Sequence, residues 1–155
     1  LFRFFIEKNL SLLSEKGSLT YLTPSAWIYE DGSTKLRKHI LEKFQIDFFY
    51  QFENREKIFE RVDSRYKFAT FQISAPSLQV TKQSIPVRFM QTEAFVLKTN
   101  KNIIEYSYTD IETLSKEHHS FMEVKTTQDL EILRKIYGKF KSLNPDFIDF
   151  RNELH

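Results

Sequence analysis

The sequence contains no cysteine, which excludes disulfides, thiolate metal sites and a cysteine nucleophile. It contains only 3 glycines, Gly17, Gly32 and Gly138. Their spacing forms neither a G-x-G-x-x-G fingerprint nor a Walker loop, so this chain has no glycine-rich cradle of its own for a dinucleotide or a phosphate. Lys+Arg 23 against Asp+Glu 21 leaves a net charge of +2, which by itself does not indicate a nucleic-acid partner.

Long hydrophobic runs are missing as well. No stretch of about 18 apolar residues and no signal-peptide pattern occurs, so we expect a cytoplasmic protein with no membrane partner. The 155 residues, 41% hydrophobic and 28% charged, have the size and composition of one globular domain. A helical apolar pattern begins directly at Leu1 with no capping residue ahead of it, and we therefore expect a piece of a longer protein.

The first half of the chain alternates helical and strand patterns. Apolar periodicity predicts a helix over residues 1–16, with Gly17 as its left-handed C′ residue. The next predicted elements are a strand at 18–23 ended by Pro24, a helix at 36–44 after the turn 31–33, and strands at 46–52 and 66–73 flanking a polar segment at 53–64. A helix that stops at glycine and leads into a strand is typical of an α/β unit.

The second half has weaker patterns. A strand is predicted at 87–98 and a short one at 103–106, followed by a helix that Asp110 caps and that reaches about residue 116. Thr126 and Asp129 form a capping-box pattern that opens a further helix. This half is therefore expected to be α+β.

Four groups of residues in the first half carry a resemblance to a known family. They are the helix 1–17, the strand and exit Leu19 to Trp27, the Leu36-Arg37 helix with Ile40, and the segment containing Phe52-Glu53-Asn54, Ile58-Phe59, Val62-Asp63 and Lys67-Phe68. In this order they resemble the C-terminal half of the catalytic domain of amino-type DNA methyltransferases, in particular the N6-adenine enzymes of type IIG and type I restriction-modification systems.

The resemblance implies a fold and a division of the chain. Residues 1–74 would form part of a doubly wound, Rossmann-like methyltransferase sheet: its last three strands, the final one antiparallel, with a helix on each side. Residues 75–155 would form an α+β extension leading to the target-recognition region, and Phe150 to His155 are similar to the stretch that leads there.

Two family features are absent from this sequence: the glycine-rich loop for S-adenosylmethionine and the catalytic Asn/Asp/Ser-Pro-Pro-Tyr/Phe motif. The resemblance therefore implies adenine-N6 methylation from S-adenosylmethionine in an intact bacterial or archaeal protein, with no cofactor bound and no activity in this chain alone. The implied partners are double-stranded DNA and the N-terminal half of the same polypeptide, or a second copy through an exposed sheet edge. Type IIG enzymes also cleave DNA, but no residue here indicates a nuclease. The alternative function is a non-catalytic DNA-binding or subunit-interaction module.

The resemblance also implies roles for particular residues. Phe59 would stack on the extruded adenine, which repays part of the cost of unstacking that base; the alternative is that it anchors its loop in the core. Tyr21, Thr23, Pro24 and Trp27 would line the active cleft at the end of their strand. The alternative is that Trp27 is buried in the core. The candidates for DNA-backbone contact are Lys35, Arg37, Lys38, Arg65 and Lys67, unless they form a solvated face.

Three further patterns are rejected as sites. Asn144 to Phe147 imitates the catalytic motif, but Asp replaces the second Pro and the segment follows the pocket-closing loop. Asp110 with Glu123-Val124-Lys125 imitates a nuclease metal site, but such a short pattern is frequent by chance. The adjacent His118 and His119 diverge on a helix or strand, and no metal site is predicted.

Overall fold

The computed structural model describes residues 1–75 and 84–140. These residues form helices and strands in mixed order, with short 3-10 turns at 25–28, 31–33, 54–56 and 94–98. The elements are α1 (Phe2–Leu10), β1 (Ser18–Pro24), α2 (Thr34–Lys43), β2 (Gln45–Glu53), β3 (Lys67–Ser74), β4 (Ile85–Gln91), β5 (Ile104–Tyr106), α3 (Tyr108–Leu114) and α4 (Thr127–Lys139). The predicted α/β class is confirmed.

The strands form one mixed five-stranded sheet in the order β1-β3-β2-β4-β5. β3 lies between β1 and β2 and runs antiparallel to both, as predicted for the last strand of the first half. β2 and β4 are parallel, and β5 is antiparallel to β4. The strands β1, β2 and β4 therefore end at the same side of the sheet, which we call the carboxyl edge; it is marked by Pro24, Glu53 and Gln91.

The two faces of the sheet differ in what lies on them. Side chains alternate along each strand, and the cross-strand partners Phe49, Phe71 and Val87 are fully buried on one face, the covered face. The opposite, open face carries Leu22, which is exposed, and the half-buried Phe48 and Tyr50, together with Phe52 and Phe68. Phe52 and Phe68 are buried, and their rings stack on each other with centroids 5.4 Å apart.

Every described α-helix adds to a single core on the covered face. The buried helical residues of that core are Ile6 and Leu10 of α1, Ile40 and Leu41 of α2, Ile111 and Leu114 of α3, and Leu130 of α4. The prediction of a helix on each side of the sheet is not met within the described residues. Periodicity shows that a helix has one apolar stripe, but it does not determine which face of the sheet that stripe covers.

α1 ends earlier than predicted, at Leu10 instead of residue 16. The chain tightens there because Leu12 N–H donates to Asn9 O at 3.1 Å and Leu13 N–H donates to Leu10 O at 3.3 Å. Gly17 does not adopt a left-handed conformation, so its prediction as a C′ residue is wrong. A Cβ at Gly17 would lie 3.0 Å from the Leu13 side chain and 3.2 Å from the backbone nitrogen of Ser14, so a larger residue would require these neighbours to shift.

Two boundaries in the second half also differ from the prediction. β4 ends at Gln91 instead of Lys98, because Met90 has a left-handed φ of 53° and the chain then turns into the 3-10 segment 94–98. α3 is capped by Ser107, and Asp110 is the third residue of that capping box instead of the cap. The capping box of Thr126 and Asp129 is confirmed.

The strands β4 and β5 continue the sheet of the first half, so residues 85–106 share its core. In the described part of the chain, no helix has the length and hydropathy needed to cross a membrane. The rejected motif Asn144 to Phe147 and the segment Phe150 to His155 lie outside the described residues.

Candidate functional site

Phe59 lies at the carboxyl edge, in the loop 54–66 that joins β2 to β3. Its side chain is 39% exposed, and its ring meets the ring of Phe68 edge-on with centroids 4.9 Å apart. Phe68 in turn pairs across the sheet with Pro24 and with Phe52. The Phe59 ring is therefore partly open to solvent and close to the end of β1, on the side of the open face. Its role as a base-stacking residue stays a prediction.

Asn54 holds this loop in shape from its first residue. It is fully buried, and its side-chain Nδ2 donates to Phe59 O at 2.8 Å and to Val62 O at 2.9 Å. Its Oδ1 accepts from Phe59 N–H at 2.8 Å, and its own backbone N–H donates to Tyr66 O at 3.0 Å. The backbone of Phe59 is thus fixed through both its N–H and its carbonyl. A single side chain, that of Asn54, therefore fixes the backbone position from which the Phe59 ring projects.

The motif Phe52-Glu53-Asn54 belongs to the family resemblance, but the sequence does not reveal that Asn54 binds the backbone of Phe59. An asparagine after a strand is usually interpreted as a turn residue that bonds to its own backbone two residues on. Here the amide bonds five and eight residues ahead. No local sequence signal identifies such a clamp.

Trp27 is fully buried, so the prediction that it lines a cleft is wrong. Its ring packs on Phe71 at 4.9 Å and edge-on against Phe49 at 5.7 Å, on the covered face. Tyr21 and Thr23 occupy the same face of β1, opposite Phe71 and Ala69. Pro24 pairs with Phe68, which contacts the Phe59 ring, and so lies on the open face. Alternation along β1 directs Tyr21 and Thr23 to the opposite face, and Trp27 follows the strand in the 3-10 segment 25–28, where it is buried in the core.

Arg37 is 1% exposed, so the prediction that it contacts DNA phosphates is wrong. Its guanidinium donates to the carbonyl oxygens of Trp27 at 2.8 Å, Glu30 at 2.7 Å and His118 at 2.7 Å. Burial lowers the pKa of Arg37 to about 10, which still leaves it charged at neutral pH. The residue joins the 3-10 segment after β1 to the segment around His118.

The other predicted cations are at the surface to different extents. Lys35 and Lys38 are exposed on α2, and Lys38 lies 3.9 Å from Glu42. Arg65 is exposed and pairs with Asp63 at 3.1 Å; the hydrogen bonds from Arg65 lower the pKa of that carboxyl to about 2. Lys67 lies between Glu123 at 2.5 Å and Glu53 at 3.7 Å. The charge of Lys67 is thus already compensated, which leaves it poorly suited to a phosphate.

A polar network that sequence reasoning missed lies at the carboxyl edge on the covered face. Gln51 is fully buried; its Nε2 donates to Ser25 Oγ at 3.3 Å and to the Glu123 carboxylate, and its Oε1 accepts from Met90 N–H at 3.2 Å. A polar residue inside the apolar strand β2 was the available signal. The network joins the ends of β1, β2 and β4 to the segment before α4.

Asp110 and Glu123, the two carboxylates of the rejected nuclease pattern, each form an ion pair with a basic side chain. Burial raises the pKa of Asp110, but bonds from Arg134 and Ser107 outweigh that effect and the pKa is lowered overall. Both Asp110 oxygens bind Arg134 at 2.7 Å, while Glu123 is engaged with Lys67. Within residues 1–75 and 84–140, no group of three or more His, Asp or Glu side chains is arranged to hold a metal.

The glycines of the chain do not form a cofactor loop in the described residues. All three are described, and none has a positive φ. The interior of the covered face is filled by the hydrophobic core. Binding of S-adenosylmethionine in an intact protein stays a prediction.

One comparison with known proteins bears on this edge of the sheet. Residues 1–59 match the family model of the Eco57I restriction-modification methylases. This stretch is thus similar to a restriction-modification methylase, over the part that runs from α1 through β2 to the loop carrying Phe59. The match covers less than half of the chain. No curated protein matches the sequence.

Proposed function

We propose that this chain forms one wall of the target-base pocket of a restriction-modification DNA methyltransferase, which transfers a methyl group from S-adenosylmethionine to adenine N6. The family match over residues 1–59 supports this proposal, because the matched stretch includes the loop segment that carries Phe59, whose ring is 39% exposed. The chain alone would be inactive, because it contributes neither the cofactor loop nor the catalytic motif.

The physical part of the proposal is stacking. Extruding a base from duplex DNA costs a few kcal/mol, and stacking it on an aromatic ring returns about 1–3 kcal/mol. The ring of Phe59 has an exposed side, a backbone fixed by Asn54, and the buried rings of Phe68 and Phe52 behind it. Such a preorganised ring costs little entropy when a base is placed on it.

A second part of the proposal concerns the partner of the β1 side of the sheet. β1 is an edge strand, and α1 beside it exposes Leu1, Phe4 and Phe5 at 89%, 72% and 57%. Unpaired strand edges and apolar surfaces of this kind recruit further chain. We propose that the N-terminal half of the same polypeptide docks there, or that a second copy does so in its absence. A monomer by light scattering at micromolar concentration would contradict the second arrangement.

The stacking proposal is tested with a duplex in which 2-aminopurine faces an abasic site. This base is already weakly held, so no recognition sequence is needed to extrude it. Neighbouring bases quench 2-aminopurine while it is stacked, so we expect the chain to bind this duplex and to increase the fluorescence by extruding the base, with Phe59→Tyr retaining the increase and Phe59→Ala losing it. An equal increase with wild type and Phe59→Ala would refute the proposed role.

The methylation part is tested with a polypeptide in which upstream residues containing the catalytic motif precede this chain. We expect methyl transfer from labelled S-adenosylmethionine to unmethylated DNA, with N6-methyladenine as the product, and about a 10-fold or greater loss of kcat/KM in Phe59→Ala. DNA binding without any methyl transfer would favour the alternative of a non-catalytic DNA-binding module. The exposed surface of α1 favours a subunit-interaction role in that case.

A further inference from the structure

A second loop leaves the carboxyl edge beside the one that carries Phe59. Residues 92–103 join β4 to β5, and β4 runs parallel to β2 with Phe52 opposite Gln91. The loops 54–66 and 92–103 therefore begin at neighbouring points on adjacent strands.

Arg88 of β4 binds the backbone of this second loop. This residue is 1% exposed, and its guanidinium donates to Lys101 O at 3.1 Å and to Thr99 O. The same guanidinium lies over the ring of Tyr50, 4.4 Å from its centroid. The buried charge is satisfied by the loop carbonyls, so the loop backbone has a preferred conformation.

The held loop presents apolar and cationic side chains to solvent. Phe95 and Leu97 are 63% and 50% exposed, and Lys98 and Lys101 are exposed beside them. Across the described part of the chain, neither lysine has a carboxylate within ion-pair distance. The loop thus places apolar side chains next to two lysines without ion-pair partners among the described residues, and Arg88 holds its backbone at Thr99 and Lys101. We expect such a surface to bind a partner that combines negative charge with stacked rings, as nucleic acid does.

We propose that the loop 92–103 is a second DNA-contact element, in which Lys98 and Lys101 bind backbone phosphates and Phe95 inserts into the duplex next to the base extruded towards Phe59. This inference rests on the proposed function. An extruded base leaves a gap in the stack, and apolar wedges such as Phe fill base steps in proteins that distort DNA. The two lysines supply the sequence-independent attraction that comes from counterion release.

The test uses the whole 155-residue chain and the 2-aminopurine duplex, with affinity measured by anisotropy between low and moderate salt. The double variant Lys98→Ala/Lys101→Ala should reduce the slope of log K against log salt by about 2, since each phosphate contact contributes about 0.9. The matched control is Lys16→Ala/Lys43→Ala, which removes the same charge from two exposed lysines next to the N-terminal ends of β1 and β2. It should leave the slope unchanged.

Phe95→Ala should weaken binding by about 10-fold, the equivalent of one lost stacking contact, and should reduce the increase in 2-aminopurine fluorescence. Its control is Phe140→Ala, which removes another exposed Phe at the end of α4 and should bind as wild type does. If Phe59→Ala loses the fluorescence increase but the Phe95 and lysine variants behave like their controls, the inference is wrong and the proposed function stands. If wild type does not bind the duplex at low salt, both are wrong.

Discussion

The Asn54 clamp gives the sharpest prediction about how this chain positions Phe59. Asn54→Ala removes three short side-chain hydrogen bonds, to Phe59 O, Phe59 N–H and Val62 O, and a longer one to Asp63 O at 3.4 Å. Each of the three short bonds contributes about 1 kcal/mol net, so their sum is about 3 kcal/mol. The loss is smaller if the loop opens and its groups are hydrated, and larger if they stay buried and unpaired. We therefore expect the free energy of unfolding to fall by about 2–4 kcal/mol.

Two measurements check this expectation. Urea denaturation gives the free energy of unfolding, and the fluorescence of the single Trp27, buried in the core, reports the transition. Hydrogen exchange at the Phe59 amide reports the loop directly, because that N–H donates to Asn54 Oδ1. We expect Asn54→Ala to remove its protection. Asn54→Asp keeps the acceptor but loses the donors, so it should retain protection at Phe59 while still lowering stability.

The control for this pair of variants is Gln128→Ala, which removes an exposed amide from the first turn of α4. A surface change of this kind should alter stability by less than about 0.5 kcal/mol. If Asn54→Ala costs less than about 1 kcal/mol and leaves exchange at Phe59 unchanged, the clamp does not hold the loop, and the preorganisation argued for the Phe59 ring is wrong.

Two further predictions concern buried charges. Arg37→Met keeps the apolar stem but removes the guanidinium donor from the carbonyls of Trp27, Glu30 and His118, of which Glu30 O still accepts from Ser33 N–H. Urea denaturation should therefore show a loss of about 2–4 kcal/mol; a loss below about 1 kcal/mol would contradict this reasoning. Asp110→Asn weakens the bidentate contact with Arg134 and should cost about 1.5–3 kcal/mol at pH 7. Because the folded-state pKa of Asp110 is lowered, that stability is present above the unfolded-state value of about 3.9 and is lost as pH falls through the folded-state pKa. The difference between wild type and Asp110→Asn, measured by denaturation as a function of pH, should therefore shrink below about pH 4.

The helices and strands that the sequence predicts well are those specified by neighbouring residues. Thr126 and Asp129 lie three positions apart, and this spacing alone forms the capping box that opens α4. The strands β1, β2 and β3 follow from alternation and β-branched or aromatic residues, and their observed bounds lie within one or two residues of the prediction. Ser107 and Asp110 form the same kind of box, but the sequence was interpreted with Asp110 as the cap.

Contacts between residues far apart in the sequence determine whether the candidate site residues are buried or exposed. Trp27 and Arg37 occur in segments that look like a strand exit and a basic helix face, yet both are buried because the covered face of the sheet lies against them. Asn54 acquired its role from carbonyls five and eight residues away. None of these environments is encoded by the residues immediately beside the side chain.

By itself, the sequence determined the order of the elements, the capping box that opens α4, and the position of an aromatic residue, Phe59, in a polar loop between two strands. Only the tertiary structure decided that every described helix covers the same face of the sheet, that Phe59 remains partly exposed near Pro24, and that the loop carrying Phe95 begins beside it. The physical reason is the distance along the sequence between the residues that interact. Periodicity reports neighbours two to four residues apart, whereas these arrangements depend on β3 inserting between β1 and β2 and on β4 pairing parallel to β2.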